Sequence, residues 1–235
     1  MQFVVENEPF ARALALIKSC IPARSTIPIL SHVAVEARAE NVIVIRATCL
    51  DREIEAKLPA EVATPGSAAL PGEVLAAMAR KLTKGGQCEF IIKDDRCKVK
   101  SGTSKYDLRT LPALDFPQAK SAPDTAVRFS LGAKELLGLV GSTAYVASEV
   151  CPHVYGRGVH LHVAAQRLIA VACDNHRVAR RSVEMPKGSA TMPAVTLPAE
   201  ALALLMGLLA DTDDVAEVAI SPSMLEVRLS SLRFA

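Results

Sequence analysis

The chain has 235 residues, half of them apolar, no Trp and a formal net charge of +2. That length holds one large domain or two of about 115 residues, each able to bury a core. No apolar run reaches the roughly 18 residues of a membrane-spanning helix, and near-neutrality excludes a uniformly basic polyanion binder. The N-terminus, MQFVVENEPF, has no basic region followed by an apolar stretch, so no export signal is read there. The six cysteines form no Cys-x-x-Cys pair. They read as reduced thiols of a cytoplasmic protein. Charge is uneven: residues 1–120 carry 17 Lys+Arg against 14 Asp+Glu, and residues 121–235 carry 10 against 11. Polyanion contact is therefore expected on the first half.

A first helix is predicted from about Glu8 to Ile21, with Phe10, Ala13, Leu14, Ile17 and Ile21 as its buried stripe. Pro22 and Pro28 then hold the chain extended. Alternating runs at Val33–Ala37, Val42–Ala47 and Glu53–Leu58 read as strands. A second helix starts near Pro71, buries Leu75, Met78, Ala79 and Leu82, and ends at Gly85-Gly86. Strands follow at Glu89–Lys93, Cys97–Ser101 and Lys105–Thr110. Gln118–Asp124 reads as a polar linker. Beyond it come strands at Val127–Leu131, Gly158–His162, Leu168–Cys173, Arg177–Val183, Ala216–Ile220 and Leu225–Leu229, with helices at Ala133–Ala144 and Ala199–Leu209.

The second list repeats the first. The segment from Val33 is echoed from Val159, the one from Leu70 from Leu197, and the one from Arg96 from Met224, about 126 residues later each time. A period this long exceeds the roughly 20–50 residues of solenoid units, and short turns imply antiparallel pairing. The expected fold class is α+β: a tandem repeat, each unit two helices packed on curved antiparallel sheet.

Three segments carry a family resemblance: ARSTIPIL (from Ala23), SGTSKYDLRTLPALDFP (from Ser101) and ACDNHRVA (from Ala172). Together they resemble the bacterial DNA polymerase III beta subunit, the replicative sliding clamp. The resemblance implies DNA-clamp domains at 1–120 and 121–235, the second C-terminally incomplete, with a third domain absent. It implies a ring-forming oligomer around duplex DNA that confers processivity, without a catalytic site, cofactor, metal or membrane contact of its own. The implied partners are duplex DNA, the polymerase III catalytic subunit and the clamp loader, the last two through a peptide pocket. Phosphate-directed cations suit that role, because they attract DNA without reading its sequence. Arg24 stands where the family places a DNA-touching arginine, and Arg80, Lys81 and Lys84 cluster at the end of the second helix. Arg12 and Lys18 lie on the polar side of the first helix. The peptide pocket is assigned by resemblance to Tyr155, Cys173, Asp174, Asn175, His176, Arg177 and Val178.

The chain also departs from the family pattern. Asn175 stands for Gly, a substitution expected to disturb the backbone. His153 stands for Arg, and Gly156 for a Leu that lines the pocket. Glu73 and Ala199-Glu200 occupy positions that are often basic. In the fourth helix Leu202, Leu205, Met206 and Leu209 form the expected core stripe, leaving Leu204 and Leu208 on another face. Phe234 aligns with Tyr106, so the last strand of the second repeat is expected to be missing. An isolated chain of this extent is expected not to slide as a closed ring. Two other readings are weighed. Cys151, His153, Cys173 and His176 could hold zinc, although their spacing matches no finger. Asp174, His176 and Ser148 could suggest an enzyme, although no nucleophile elbow or phosphate loop accompanies them. His160 and His162 share one face of a strand. The alternative function is a clamp-like module that binds clamp partners without encircling DNA.

Overall fold

The computed structural model describes residues 1–22, 25–148 and 151–235. It divides into two compact units, Met1–Ala119 and Lys120–Ala235. Unit one contains β1 (Gln2–Glu6), α1 (Asn7–Lys18), β2 (His32–Arg38), β3 (Val42–Thr48), β4 (Glu53–Pro59), β5 (Glu61–Thr64), β6 (Gly66–Pro71), α2 (Gly72–Ala79), β7 (Gln87–Lys93), β8 (Arg96–Ser101) and β9 (Ser104–Arg109). Its strands pair in the orders β5-β1-β7-β8-β9 and β4-β3-β2-β6, all antiparallel. The helices lie against each other and against these strands. Three phenylalanines centre the core. Phe3 stacks on Phe90 with ring centroids 4.8 Å apart, and Phe10 meets Phe90 edge-on at 5.2 Å. All three are fully buried, each worth about 2–3 kcal/mol of transfer energy.

Unit two contains β10 (Val127–Gly132), α3 (Ala133–Ala144), β11 (Gly158–Ala164), β12 (Arg167–Cys173), β13 (Val178–Glu184), β14 (Val195–Pro198), α4 (Ala199–Leu209), β15 (Val215–Ser221), β16 (Met224–Arg228) and β17 (Leu232–Phe234). Its orders are β10-β15-β16-β17 and β13-β12-β11-β14. Apart from β5, every element of unit one has a counterpart in unit two, in the same order and the same pairing. Four helices over antiparallel sheets, in two copies of one unit, are the α+β fold that the periodicity implies.

Several expectations need correction. The first helix stops at Lys18 rather than Ile21. Ser19, Cys20 and Ile21 instead donate to carbonyls three residues back, at 3.0–3.2 Å, tightening the chain before Pro22. The second helix ends at Ala79, well before the glycines, and Pro71 is its N-cap rather than its first-turn residue. Lys81 and Leu82 also bond three residues back. Five strands have no counterpart among the ranges read from the sequence: β1, β5, β6, β14 and β17. The Pro65-Gly66 pair interrupts the alternation around β5 and β6, while β14 and β17 are four and three residues long. The last strand of the second repeat is thus present, pairing Phe234 with Val227. In α4, Leu204 and Leu208 join Leu202, Leu205 and Leu209 on the buried face, whereas Met206 is only half-buried. The outward side is Glu200, Ala203, Gly207 and Ala210.

Candidate functional site

Arg80, Lys81 and Lys84 lie in the turn that follows α2, beyond the helix rather than on it, and all three are exposed. None forms an ion pair with a described residue. The turn is held from below by Asn7, the buried first residue of α1. The Asn7 backbone N–H donates to the Gly86 carbonyl at 2.9 Å, and its Nδ2 donates to the Thr83 carbonyl at 2.8 Å and to Ser101 Oγ at 3.2 Å. Gly85 turns the chain with φ +71°, which a glycine adopts without strain. Three cations on a pinned backbone, at the negative end of a helix dipole, form a compact phosphate-attracting corner. The expected contact at Arg24 lies outside the described residues.

The helices themselves present little free positive charge. Arg12 pairs with Glu8 at 3.6 Å, and Lys18 pairs with Glu73 at 3.0 Å. Glu73, the acidic residue at an often basic position, therefore neutralises a neighbouring lysine. In unit two, Lys134 is paired to Asp213. The turn after α4 reads Ala-Asp-Thr-Asp-Asp at Ala210–Asp214, acidic where the turn after α2 is basic. It hangs on the first residue of α3 in the same way, with the Ala133 N–H donating to the Asp214 carbonyl at 2.9 Å.

The residues assigned to the peptide pocket do come together in unit two. Asp174 organises a tight turn between β12 and β13. Its Oδ1 accepts from the N–H groups of His176 at 3.1 Å and Arg177 at 2.8 Å, and its Oδ2 accepts from the Arg177 guanidinium at 2.7 and 3.1 Å. These bonds, the Arg177 side chain foremost, hold the Asp174 pKa down to about 2. Asn175 adopts φ +72°. This left-handed conformation suits glycine, and asparagine is the side chain that tolerates it best. The expected backbone disturbance is therefore not seen. Asn175 Oδ1 accepts from the Tyr155 hydroxyl at 2.7 Å, and Tyr155 stacks on His153 at 5.1 Å. Tyr155 is 58% exposed and Val178 is 69% exposed. Cys173 closes β12, half-buried, and His176 is exposed.

Gly156 is more than a lost side chain. A Cβ there would sit 2.4 Å from Cys151 Sγ and 2.9 Å from the Cys173 carbonyl oxygen. The Cys151 thiol thus fills space that a larger residue at 156 would claim. The sequence reading missed Tyr145, which caps α3 and is 67% exposed. After Asp174, its electrostatic influence on Arg177 also raises that residue's pKa, so it belongs to this surface. Its signal was available: an aromatic residue two steps past the last buried position of a helix, where no core needs it.

The same turn exists in unit one. The Cys49 N–H donates to the Arg52 carbonyl at 3.1 Å, as Asp174 does to Arg177 at 3.2 Å, and Leu50 stands at φ +78°. There the bond network is held by Thr48, whose hydroxyl donates to Arg52 O at 2.9 Å and accepts from Leu50 N at 3.0 Å. A groove of 870 Å³ in unit one, lined by Glu36, Arg38, Arg46 and Glu55 among others, holds none of the predicted site residues. Among the described residues no group of three or more His, Cys, Asp and Glu side chains could hold a metal ion, and no helix is long and apolar enough to cross a membrane.

Two copies of a helix pair backed by antiparallel sheet, one with a pinned basic corner and one with an exposed aromatic turn, define a DNA-clamp type of protein. The profile of the DNA polymerase III beta subunit N-terminal domain matches residues 1–120, and that of its central domain matches residues 130–235. The chain belongs to the DNA polymerase III beta subunit family. The beta sliding clamp of Caulobacter vibrioides is 29% identical over 228 residues, covering 94% of this chain and 61% of that protein. That of Escherichia coli K12 is 27% identical over 236 residues, covering 100% and 63%. Among solved structures, the sliding clamp of Bartonella birtlesii bound to griselimycin superposes with a TM-score of 0.94 at 28% identity, covering all of this chain and 63% of that one. The Caulobacter crescentus clamp, solved with a polyethylene glycol bound to its putative beta-motif tethering region, gives 0.92 at 28% identity, covering 100% and 63%. The chain thus spans a little over three fifths of these relatives.

Proposed function

We propose that this chain supplies the first two domains of a sliding clamp that encircles duplex DNA and confers processivity on DNA polymerase III, working in the bacterial cytoplasm. It has no catalytic role of its own in this reading: it tethers. Arg24, Arg80, Lys81 and Lys84 attract phosphates without sequence preference. Tyr155, Cys173, Asp174, Asn175, His176, Arg177 and Val178, joined by Tyr145, receive short peptides of the polymerase and the clamp loader. The observation that carries the reading is the match of both family domains, in order and over nearly the whole chain. The exposed aromatic and aliphatic side chains on a rigid turn support peptide capture, since apolar anchors in small pockets dominate such contacts.

A second reading, a module that contacts clamp partners without encircling DNA, draws support from the acidic turn after α4 and from the paired Lys18 and Lys134. One experiment separates the two. Because the 235 residues alone are not expected to close a ring, they are completed with the part of the Caulobacter vibrioides clamp that they do not cover, loaded onto nicked circular DNA with a clamp loader and washed at high salt, and the DNA is then linearised. Retention that ends on linearisation is the mark of encirclement. Salt-sensitive binding, equal on circles and linear fragments, would refute the encircling role and leave the module.

A further inference from the structure

On β11 the side chains alternate strictly. Val159 and Leu161 point into the core of unit two, and His160 and His162 share the opposite face. Their ring centroids are 5.3 Å apart. Neither histidine belongs to the DNA or peptide surfaces above. The corresponding positions on β2 are Ala34 and Glu36, as the shared register of Val35 with Ile45 and Leu161 with Ala170 indicates. The pair is therefore peculiar to the second unit.

We propose that His160 and His162 form a chelating site for one zinc-class divalent ion, with water completing the coordination. A Zn–N bond of about 2.0–2.1 Å puts the metal about 3.2 Å from each ring centre, so two imidazoles at a tetrahedral angle have centroids about 5.2 Å apart. The observed separation is compatible with that value. The second shell is already built on one side: His160 Nδ1 is 3.0 Å from Thr196 Oγ1, on the neighbouring strand β14. When Nδ1–H donates to that hydroxyl, the other ring nitrogen is left as the ligand. On the other side, His162 Nδ1 is sealed from solvent and has no hydrogen-bond partner among the described residues. No water-bearing ion reaches that sealed atom, so Nε2 is the nitrogen this ring can offer to a metal. Arg180 faces the pair from β13, reached through Val171, and a like charge there weakens metal binding.

The test uses the 235-residue chain with ¹⁵N-labelled histidine and Zn²⁺ alone as the probe, under reducing conditions. The ring nitrogens of His160 and His162 are expected to shift together and saturate near one equivalent. His162→Gln should weaken binding at least about tenfold, Thr196→Val by about tenfold through the lost second shell, and Arg180→Gln should tighten it a few-fold. Thr196→Val and Arg180→Gln lie at the surface, so they keep the test valid if His162→Gln fails to fold. Shifts confined to His153 and His176, beside the thiols, or no shift at either strand histidine, would overturn the proposal.

Discussion

The turn after α2 and the turn after α4 occupy the same place in the repeat and hang on the same backbone hook, yet one reads Arg-Lys-Leu-Thr-Lys and the other Ala-Asp-Thr-Asp-Asp. In unit one the cations complement the helix dipole. In unit two Asp211, Asp213 and Asp214 oppose it, with Lys134 beside Asp213 and Ser230 donating to Asp214. A duplicated scaffold thus keeps its geometry and sheds its charge. The exposed cations of this turn stand on one copy, and the exposed aromatic turn stands on the other.

Exchanging the charges gives the largest effect. Replacing Arg80, Lys81 and Lys84 together with alanine should lower DNA affinity about a hundredfold at low salt and reduce the salt slope by about 2–3. Fluorescence anisotropy with a duplex across a salt series measures both. The converse, Asp211→Arg with Asp213→Lys, should steepen the slope by up to about 2 if the second turn also reaches DNA. An unchanged slope would show that the turn after α4 does not reach DNA.

A smaller effect separates the two copies of the β–β turn. Introducing leucine at Gly156 forces a side chain into the space of the Cys151 thiol and towards a backbone carbonyl. Overpacking of this kind costs about 2 kcal/mol, read as a lower denaturant midpoint. Combining it with Cys151→Ala should recover much of the loss, because the thiol can be removed and the carbonyl cannot. If the double variant is as unstable as the single one, Cys151 is not what excludes the larger residue.

Much of this was legible in the sequence because duplicated periodicity is redundant. Helices α3 and α4 begin and end where their apolar spacing says, each entered from a non-helical N-cap, Gly132 and Pro198. The ends of α1 and α2 were not legible, because 3-residue hydrogen bonding carries the chain onward without any change of composition. The pocket residues were named through family resemblance, and their hydrogen bonds became visible only with the turn in hand. Asn175 was misjudged: its side chain was weighed as bulk, whereas its tolerance of positive φ decides the matter. The opposite charges of the two turns were plain in the sequence. They acquire meaning only when Gly86 and Asp214 are seen accepting from the same position in each unit.

At Leu50 and Asn175 the two copies face the same backbone demand with different side chains. A branched side chain in the left-handed region costs about 1–2 kcal/mol, and asparagine less. Leu50→Gly should therefore raise stability by about 0.5–1 kcal/mol, the relief exceeding the extra chain entropy. Asn175→Gly should be neutral or slightly destabilising, since it also removes the acceptor of the Tyr155 hydroxyl. Equal effects at both sites would mean that φ alone does not distinguish them.

The smallest effect is a titration present in only one copy. Asp174 has its counterpart in Cys49, so the carboxylate network belongs to unit two alone. The folded-state pKa of Asp174, about 2, lies below the ordinary carboxylate value near 3.9. A depressed pKa contributes stability that is fully present above the unfolded value and is lost as pH falls through the folded one. The turn bearing Asn175 and Arg177 should therefore hold at pH 5, weaken from about pH 4 downward, and be released near pH 2. The Asp174 carboxyl carbon, followed by NMR, should titrate at that low midpoint. The Arg177 Nε–H resonance should collapse with it, while the Leu50 amide of unit one stays unmoved by this transition. In the Arg177→Gln variant the midpoint should rise towards 3.9, because the guanidinium is the largest cause of the shift. A midpoint unchanged by that substitution would assign the shift to the backbone donors instead.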